Sequence, residues 1–219
     1  MKTYRTYLAL LAEGGAMERV VFFSDAVFAI AMTLLIVELR VPEVSGSDLG
    51  PALADLVPGY LTFILSFIVV GLVWMSHHRK FRAIIRYDQN LMRLNLLLLL
   101  FVASLPLPTG ILGAYGDNAL SVYIYAATVV LVGFLLTAIW VYAWHRRLVD
   151  PVLTADVYRL VLVMSLPIPG IFLLSIPVAI VAGPTVAELT WVLAAPASFI
   201  ITRIYRAKAE EPLAGRTTP

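Results

Sequence analysis

Cysteine is absent from this chain, and charged side chains are scarce. The missing thiols exclude disulfide bonds, iron–sulfur clusters and thiolate metal sites. Only 14% of the residues are charged and 61% are hydrophobic, with a mean hydropathy of +0.90, whereas soluble domains average about 25% charged and 45–50% apolar residues. The composition therefore predicts an all-α integral membrane protein, and 219 residues leave room for about six helical spans but for no separate soluble domain.

Six apolar stretches follow one another along the chain, separated by segments with loop signals such as Pro, Gly and clustered charges. They predict membrane-spanning helices at about residues 20–41, 57–78, 92–112, 120–144, 158–182 and 184–204. With the N-terminus inside, the inner segments hold fifteen of the sixteen Lys and Arg residues, and Arg40 alone lies outside. Under the positive-inside rule, this distribution predicts six transmembrane helices per subunit with both termini cytoplasmic.

The two ends of the chain are predicted to flank the membrane domain. Residues 1–18 form a cytoplasmic, partly helical interfacial segment, because their apolar patch is too short for a secretory signal; Met17 is an alternative start. Residues 19–205 form the transmembrane domain, and residues 206–219 a cytoplasmic tail. The basic run Arg79-Lys80-Phe81-Arg82 favours contact with anionic lipid headgroups, so no nucleic-acid partner is expected.

Similar Pro-rich strings occur in the third and fifth apolar stretches, at residues 104–110 and 165–170. Proline removes a helical hydrogen bond, so these strings should kink or loosen their helices and free backbone carbonyls. Two roles remain open for them: a hinge, or a feature of packing geometry.

An aspartate lies inside the first apolar stretch. The uninterrupted apolar run from Ala26 to Val37 has only 12 residues, whereas a membrane crossing needs about 20. A spanning helix must therefore contain Ser24 and Asp25. An ionisable group at that depth is costly unless it has a partner, which makes Asp25 a candidate functional residue.

Helix geometry predicts polar partners for Asp25. At 1.5 Å per residue, Asp25 lies about 9 Å inward of Arg19. Trp74 and His77 share one face of the second helix at a similar depth, and Asn95 lies near the start of the third. We expect the carboxylate to accept hydrogen bonds from Trp74 and His77. The group is either a supporting network that orients the first helix and responds to pH through His77, or a static cluster that holds three helices together.

The opposite face of the first helix is aliphatic. Ile30, Leu34 and Val37, spaced by 4 and 3, form one stripe within about 60°, and Asp25 points about 140° away from Ile30. Such a row usually faces lipid or packs against protein. The chain has no nucleophile–base pair, no His-x-x-x-His pair and no Gly-rich phosphate loop, so we expect neither a catalytic site nor a metal site, and not an enzyme.

The first helix resembles the signature of the transmembrane-protein-175 potassium channel family. The matching residues are Arg19-x-x-x-Phe23-Ser24-Asp25, continued by Ala-Val-Phe-Ala-Ile-Ala-Met-Thr-Leu-Leu-Ile-Val-Glu, with Trp74-Met-Ser-His77-His in the second helix. The resemblance covers residues 17 to 205. It implies a multi-pass homotetramer of the bacterial plasma membrane that conducts potassium passively, without a cofactor, and has membrane lipids and monovalent cations as its other partners.

The same resemblance implies roles for residues of the first helix. Ile30, Leu34 and Val37 match the family's apolar pore constriction, and Thr33 matches its nearby polar pore position; Val37 is smaller than the leucine expected there. The chain contains no Thr-Val-Gly-Tyr-Gly filter, so a ring of isoleucines would act by dewetting and would favour the ion that sheds water most cheaply. Two alternatives remain: a proton-coupled transporter that uses Asp25 and His77, and a membrane scaffold without transport.

Overall fold

In a computed structural model the chain is a bundle of helices, described for residues 16–39, 42–194, 196–200 and 203. Within these residues, five helical segments are long and apolar enough to cross a membrane, and we number them as spans one to five: Met17–Glu38, Val57–Ala83, Gln89–Ala114, Ala119–His145 and Ala155–Ala182. They confirm the predicted helical class and the first five apolar stretches. The sixth stretch begins with a shorter α-helix, Pro184–Trp191. Arg40 and most of the two predicted terminal segments lie outside the described residues.

Three spans are interrupted helices. The first is an α-helix, Ala16–Leu34, followed by a 3-10 turn, Leu35–Glu38. The third consists of Gln89–Ser104 and Pro106–Ala114, and the fifth of Ala155–Val163 and Pro167–Ala182. The second and fourth are continuous, and a 3-10 turn, Gly46–Asp48, with a short helix, Leu49–Asp55, connects the first to the second.

Both Pro-rich strings interrupt their helices, as the sequence predicts. Proline has no N–H to donate, so it is tolerated in the first turn of a helix and disfavoured in its interior. Accordingly, new helices begin at Pro106 and at Pro167. These two prolines, together with Pro108 and Pro169, are buried, which favours the packing role over the hinge.

The fourth span lies at the centre of the bundle. It packs against the third and fifth spans, and its aromatic side chains Tyr125 and Trp140 are fully buried. Tyr125 and Phe172 of the fifth span both pack against Trp191, with ring centroids 5.1 and 4.9 Å from the indole. The first span lies at the side of this core, against the second span and the first helix of the third.

A carboxylate joins the third and fourth spans at their shared basic end. Asp88 caps the third span by accepting a 2.8 Å hydrogen bond from the Leu91 N–H, and it accepts a 2.7 Å bond from the Tyr142 hydroxyl. Arg146 lies 3.9 Å away. Partial burial alone would raise the pKa of Asp88, but these hydrogen bonds and the nearby guanidinium outweigh it and lower the pKa below its usual value.

The contact between Gly133 of the fourth span and Pro169 of the fifth predicts a specific packing defect. A β-carbon at Gly133 would lie 2.7 Å from Cβ and 2.9 Å from Cγ of Pro169, whose ring is rigid. We expect Gly133→Ala to destabilise the fold by about 1–3 kcal/mol, the usual range for overpacking, as measured by thermal unfolding in detergent. Gly170→Ala is the matched control, because nothing lies within 4 Å of its β-carbon. Equal melting temperatures for the two variants would contradict this account.

Candidate functional site

A buried chain of hydrogen bonds joins the first three spans at one depth. The Asn95 amide nitrogen donates to the Ser24 hydroxyl oxygen over 3.0 Å, and its oxygen lies 3.0 Å from Nε2 of His77. Ser24 donates in turn to the Val20 carbonyl over 2.8 Å. The three side chains are at most 2% exposed. Ser24, His77 and Asn95, which the sequence predicts at a similar depth, are therefore joined by hydrogen bonds.

The directions of these hydrogen bonds fix the tautomer of His77. Ser24 has one hydrogen, which it gives to a backbone carbonyl, so it must accept from the Asn95 NH₂ group. The amide oxygen of Asn95 then faces His77, and since it only accepts, Nε2 of His77 carries the proton. Nδ1 of His77 is left as an acceptor, buried and without a hydrogen-bond partner among the described residues.

Asp25 lies beside this chain rather than within it. Its Oδ1 accepts a 2.8 Å hydrogen bond from the indole N–H of Trp74, which confirms that predicted partner. The predicted bond from His77 to Asp25 is wrong, because His77 gives its Nε2 hydrogen to Asn95 and its unprotonated Nδ1 cannot donate. Arg19 is exposed and makes no ion pair with Asp25 within the described part of the chain. The carboxylate, partly buried, therefore has one charge-assisted bond that ties the first span to the second.

Aromatic rings enclose His77 on both sides. Its ring stacks on Phe81 with centroids 4.0 Å apart, and Phe28 of the first span lies 5.3 Å away at a tilt. The imidazole is therefore held in one orientation by packing as well as by its bond to Asn95. Phe23, the remaining residue of the signature, does not take part in this packing and is 55% exposed on the first span.

A buried lysine was missed by the sequence analysis. The second span continues to Ala83, beyond the predicted end at residue 78, so Lys80 lies on a helix rather than in a loop. It is 2% exposed, and its Nζ donates to the Ser76 hydroxyl over 2.7 Å. The signal was present in the spacing: one buried face of this helix reads, at intervals of 3, 4 and 3, Val70, Val73, His77 and Lys80.

A second buried polar chain was also missed, and it joins the second, third and fourth spans. The Ser66 hydroxyl lies 2.9 Å from the Tyr125 hydroxyl and 3.0 Å from that of Thr109. The single hydroxyl hydrogen of Thr109 is within reach of both Ser66 and the Leu105 carbonyl, which lies 2.9 Å away. Hydroxyl side chains are frequent in membrane helices and have no fixed spacing between helices, so no sequence signal distinguishes this group.

The aliphatic stripe lies on the outer face of the first span. Ile30, Leu34 and Val37 are 58%, 45% and 67% exposed. Thr33 is exposed on the same side, and its hydroxyl donates to the Ile30 carbonyl over 2.8 Å. The face turned toward the other spans reads, at intervals of 4, 3 and 4, Ser24, Phe28, Ala31 and Leu35. The two faces predicted for this helix are thus both present.

The last turn of the first span keeps this stripe in line. Leu35–Glu38 forms a 3-10 turn, which has three residues per turn, so side chains three apart lie directly above one another. Val37 therefore stays above Leu34. In a continuous α-helix the two would be about 60° apart.

Comparisons with known sequences match the region that contains this site. The family model described as endosomal/lysosomal potassium channel TMEM175 matches residues 19–106. A potassium channel of Streptomyces collinus is 39% identical over 150 residues, which cover 64% of this chain and 71% of that protein. A potassium channel of Chamaesiphon minutus is 35% identical over 131 residues, covering 57% of this chain and 64% of that protein.

A solved structure has a similar fold over most of the chain. It is the crystal structure of a lysosomal potassium-selective channel TMEM175 homologue from Chamaesiphon minutus, with a TM-score of 0.66 and 26% sequence identity. The match covers 88% of this chain and 97% of that one. The similarity therefore extends beyond the signature to the arrangement of the spans.

The hydrogen-bond chain predicts a large cost for an apolar substitution of Asn95. Asn95→Leu keeps a similar volume but leaves the buried groups of Ser24 and His77 unpaired. Each such loss costs about 1–3 kcal/mol, so we expect a clearly lower melting temperature in detergent. Asn90→Leu makes the same change at an exposed position of the same helix, and it should change the melting temperature little. If both variants melt alike, the chain does not stabilise the fold.

Proposed function

We propose that this chain, which belongs to the TMEM175 potassium channel family, forms a potassium-permeable cation channel with a central pore lined by its first span. The two bacterial relatives described above are both named potassium channels. The observation that carries the proposal is the division of the first span into two faces. Hydrogen bonds hold one face against the subunit's own helices, and an aliphatic stripe with one threonine is left uncovered on the other.

A closed ring of identical subunits turns this stripe into a constriction. In a homotetramer with the first spans around the symmetry axis, each residue of the stripe is repeated four times and forms a ring. Ile30, Leu34 and Val37 then make three apolar rings in succession. The alignment of Leu34 and Val37 by the 3-10 turn supports this arrangement, because both side chains then point toward the same axis.

Selectivity in such a pore comes from dehydration and from hydroxyl oxygens. An apolar ring offers no groups that replace an ion's water, so it favours potassium, which sheds water more cheaply than sodium. Thr33 adds a specific contribution. Its hydrogen is engaged by the Ile30 carbonyl, so its oxygen presents lone pairs to a cation.

We infer six spans per subunit, with both termini in the cytoplasm. The membrane is the plasma membrane of a bacterium. The support is the concentration of Lys and Arg in alternate segments and the helical segment Pro184–Trp191 at the start of the sixth apolar stretch. Residues 19–205 form the channel domain on this interpretation. Membrane lipids and monovalent cations are its partners beside the other subunits.

The signature residues and the polar network act as supports rather than as pore lining. Asp25 bonds to Trp74, and Ser24 bonds through Asn95 to His77. Together they determine which face of the first span is turned away from the subunit. Arg19 and Phe23 are exposed at the same end, where neighbouring subunits or headgroups are available to them.

Potassium flux into liposomes tests the proposal directly. Purified protein reconstituted into potassium-free liposomes should admit potassium down its gradient without an added energy source. Flux no greater than that into empty liposomes would refute the channel.

A proton-coupled transporter is the second candidate, and one observation favours it. Asp25 and His77 lie at one depth, and Nδ1 of His77 has no partner among the described residues, so the site holds a proton acceptor. The reversal potential distinguishes the two. A channel reverses at the Nernst potential of its permeant ions, whereas a coupled carrier reverses at a potential that follows the pH gradient stoichiometrically.

The charge of Asp25 should matter for assembly rather than for selectivity. Asp25→Asn keeps an oxygen that accepts from Trp74 but removes the negative charge, so we expect poor tetramer formation or lost conduction, measured by size-exclusion chromatography and potassium flux. Asp55→Asn is the control, because Asp55 is exposed at the opposite end of the bundle. Normal tetramers with altered ion preference would mean that Asp25 faces the pore.

The aliphatic ring formed by Ile30 should control both current and selectivity. Ile30→Asn replaces an apolar ring with groups that hydrogen-bond water, so dewetting fails. We expect a larger current and a reversal potential closer to zero with potassium on one side and sodium on the other. Ile64→Asn is the matched control, since Ile64 is an exposed isoleucine of the second span. If neither current nor selectivity changes in Ile30→Asn, the stripe does not line the pore.

A further inference from the structure

An open cavity lies between two loops at the basic end of the bundle. Its volume is about 450 Å³, within the usual range for small-molecule sites of about 300–1,000 Å³. The loop between the second and third spans and the loop between the fourth and fifth spans form its walls. Its lining includes Arg86, Trp144, Arg147, Asp150 and Leu153.

Backbone hydrogen bonds hold the two loops together. Ile84 and Val149 form an isolated antiparallel bridge. The N–H groups of Ile85 and Arg86 both donate to the Leu148 carbonyl, over 3.0 and 3.2 Å, and the Asp150 N–H donates to the Ala83 carbonyl over 2.9 Å. The cavity is therefore built into the fold, and its side chains start from fixed backbone positions.

Arg147 occupies a backbone position that normally favours glycine. Its φ is +55°, the only positive φ of a non-glycine residue within the described ranges. The Leu148 N–H donates to the Ala143 carbonyl and the Arg147 N–H to the Trp144 carbonyl, which is the Schellman pattern that ends many helices, usually with glycine in this place. An arginine in this left-handed conformation costs conformational free energy that a glycine would not. It also places a guanidinium group at the rim of the cavity.

The cavity carries positive charge that the described residues leave unpaired. Neither Arg86 nor Arg147 has a carboxylate within 4.0 Å in the described part of the chain, whereas Arg146 outside the cavity lies 3.9 Å from Asp88. Asp150 is the only acidic side chain among the lining residues, and its Oδ1 accepts the Val152 N–H. Two guanidinium groups and one carboxylate leave a net positive site.

We propose that this cavity binds a phosphate group, carried by an anionic lipid headgroup or by a soluble phosphate compound. Guanidinium groups match phosphate oxygens with paired hydrogen bonds, and Arg86 and Arg147 supply one from each loop. Trp144 and Leu153 provide apolar walls for the remainder of the ligand. The basic end of the bundle is also where anionic headgroups meet the protein. The proposal is independent of conduction.

Binding to the purified full chain in detergent tests the proposal and separates the two sources. Dioctanoyl phosphatidic acid and inorganic phosphate are titrated separately by calorimetry, with dioctanoyl phosphatidylcholine as the zwitterionic reference. We expect Arg86→Gln/Arg147→Gln to weaken binding by about tenfold or more, because hydrogen bonds between charged groups are lost. The matched control is Arg79→Gln/Arg82→Gln, which removes the same charge from exposed residues of the second span outside the cavity.

Each outcome is decisive. Phosphatidic acid bound without inorganic phosphate supports a lipid headgroup, and inorganic phosphate bound with similar affinity supports a soluble ligand. Binding of neither, or equal weakening by the two double variants, overturns the proposal.

Arg147→Gly tests the role of Arg147 with a residue that adopts a positive φ without strain. We expect a higher melting temperature together with weaker binding. A higher melting temperature with unchanged binding would also overturn the role of Arg147.

Discussion

The lipid bilayer offers no hydrogen-bond partners to polar side chains, and this constraint determines which face of the first span is turned toward the other helices. Inside a bilayer, polar side chains must bond to one another, because no water replaces a missing partner. Ser24 has its partner on the third span and Asp25 has its partner on the second. Once these bonds form, the helix cannot turn about its axis without breaking both. Every assignment of a face on this helix depends on that constraint.

The network also explains why the aliphatic stripe, with Thr33 beside it, can stay uncovered within its own subunit. Helix association in lipid gains little from burying aliphatic surface, since the lipid tails are equally apolar. The polar bonds and the close packing of Phe28 and Ala31 therefore hold the first span, and the stripe is free of any structural role inside its own subunit. A surface with no internal role is available for contact with other subunits or with ions.

Sequence patterns predicted the parts of this fold that depend on local chemistry. Hydropathy located the first five spans, and helix geometry placed Trp74 beside Asp25 and Asn95 at the level of His77. Such patterns do not predict contacts between segments that are distant in the sequence. The partner of His77 depends on the bonds that Ser24 and Asn95 make with each other and with the backbone, because these bonds leave the Asn95 oxygen free to accept from His77. The cavity at the basic end depends on two loops that are sixty residues apart and that no periodic pattern connects.

The short 3-10 turn at the C-terminal end of the first span has a mechanical consequence. Leu35–Glu38 holds its bonds at a spacing of three residues, as between the Leu39 N–H and the Ile36 carbonyl. Exchanging these for bonds at a spacing of four would unwind the segment by about 20° per residue and turn Val37 by about 60° relative to Leu34. This exchange would redirect the exposed Val37 side chain, with hydrogen bonds exchanged rather than lost.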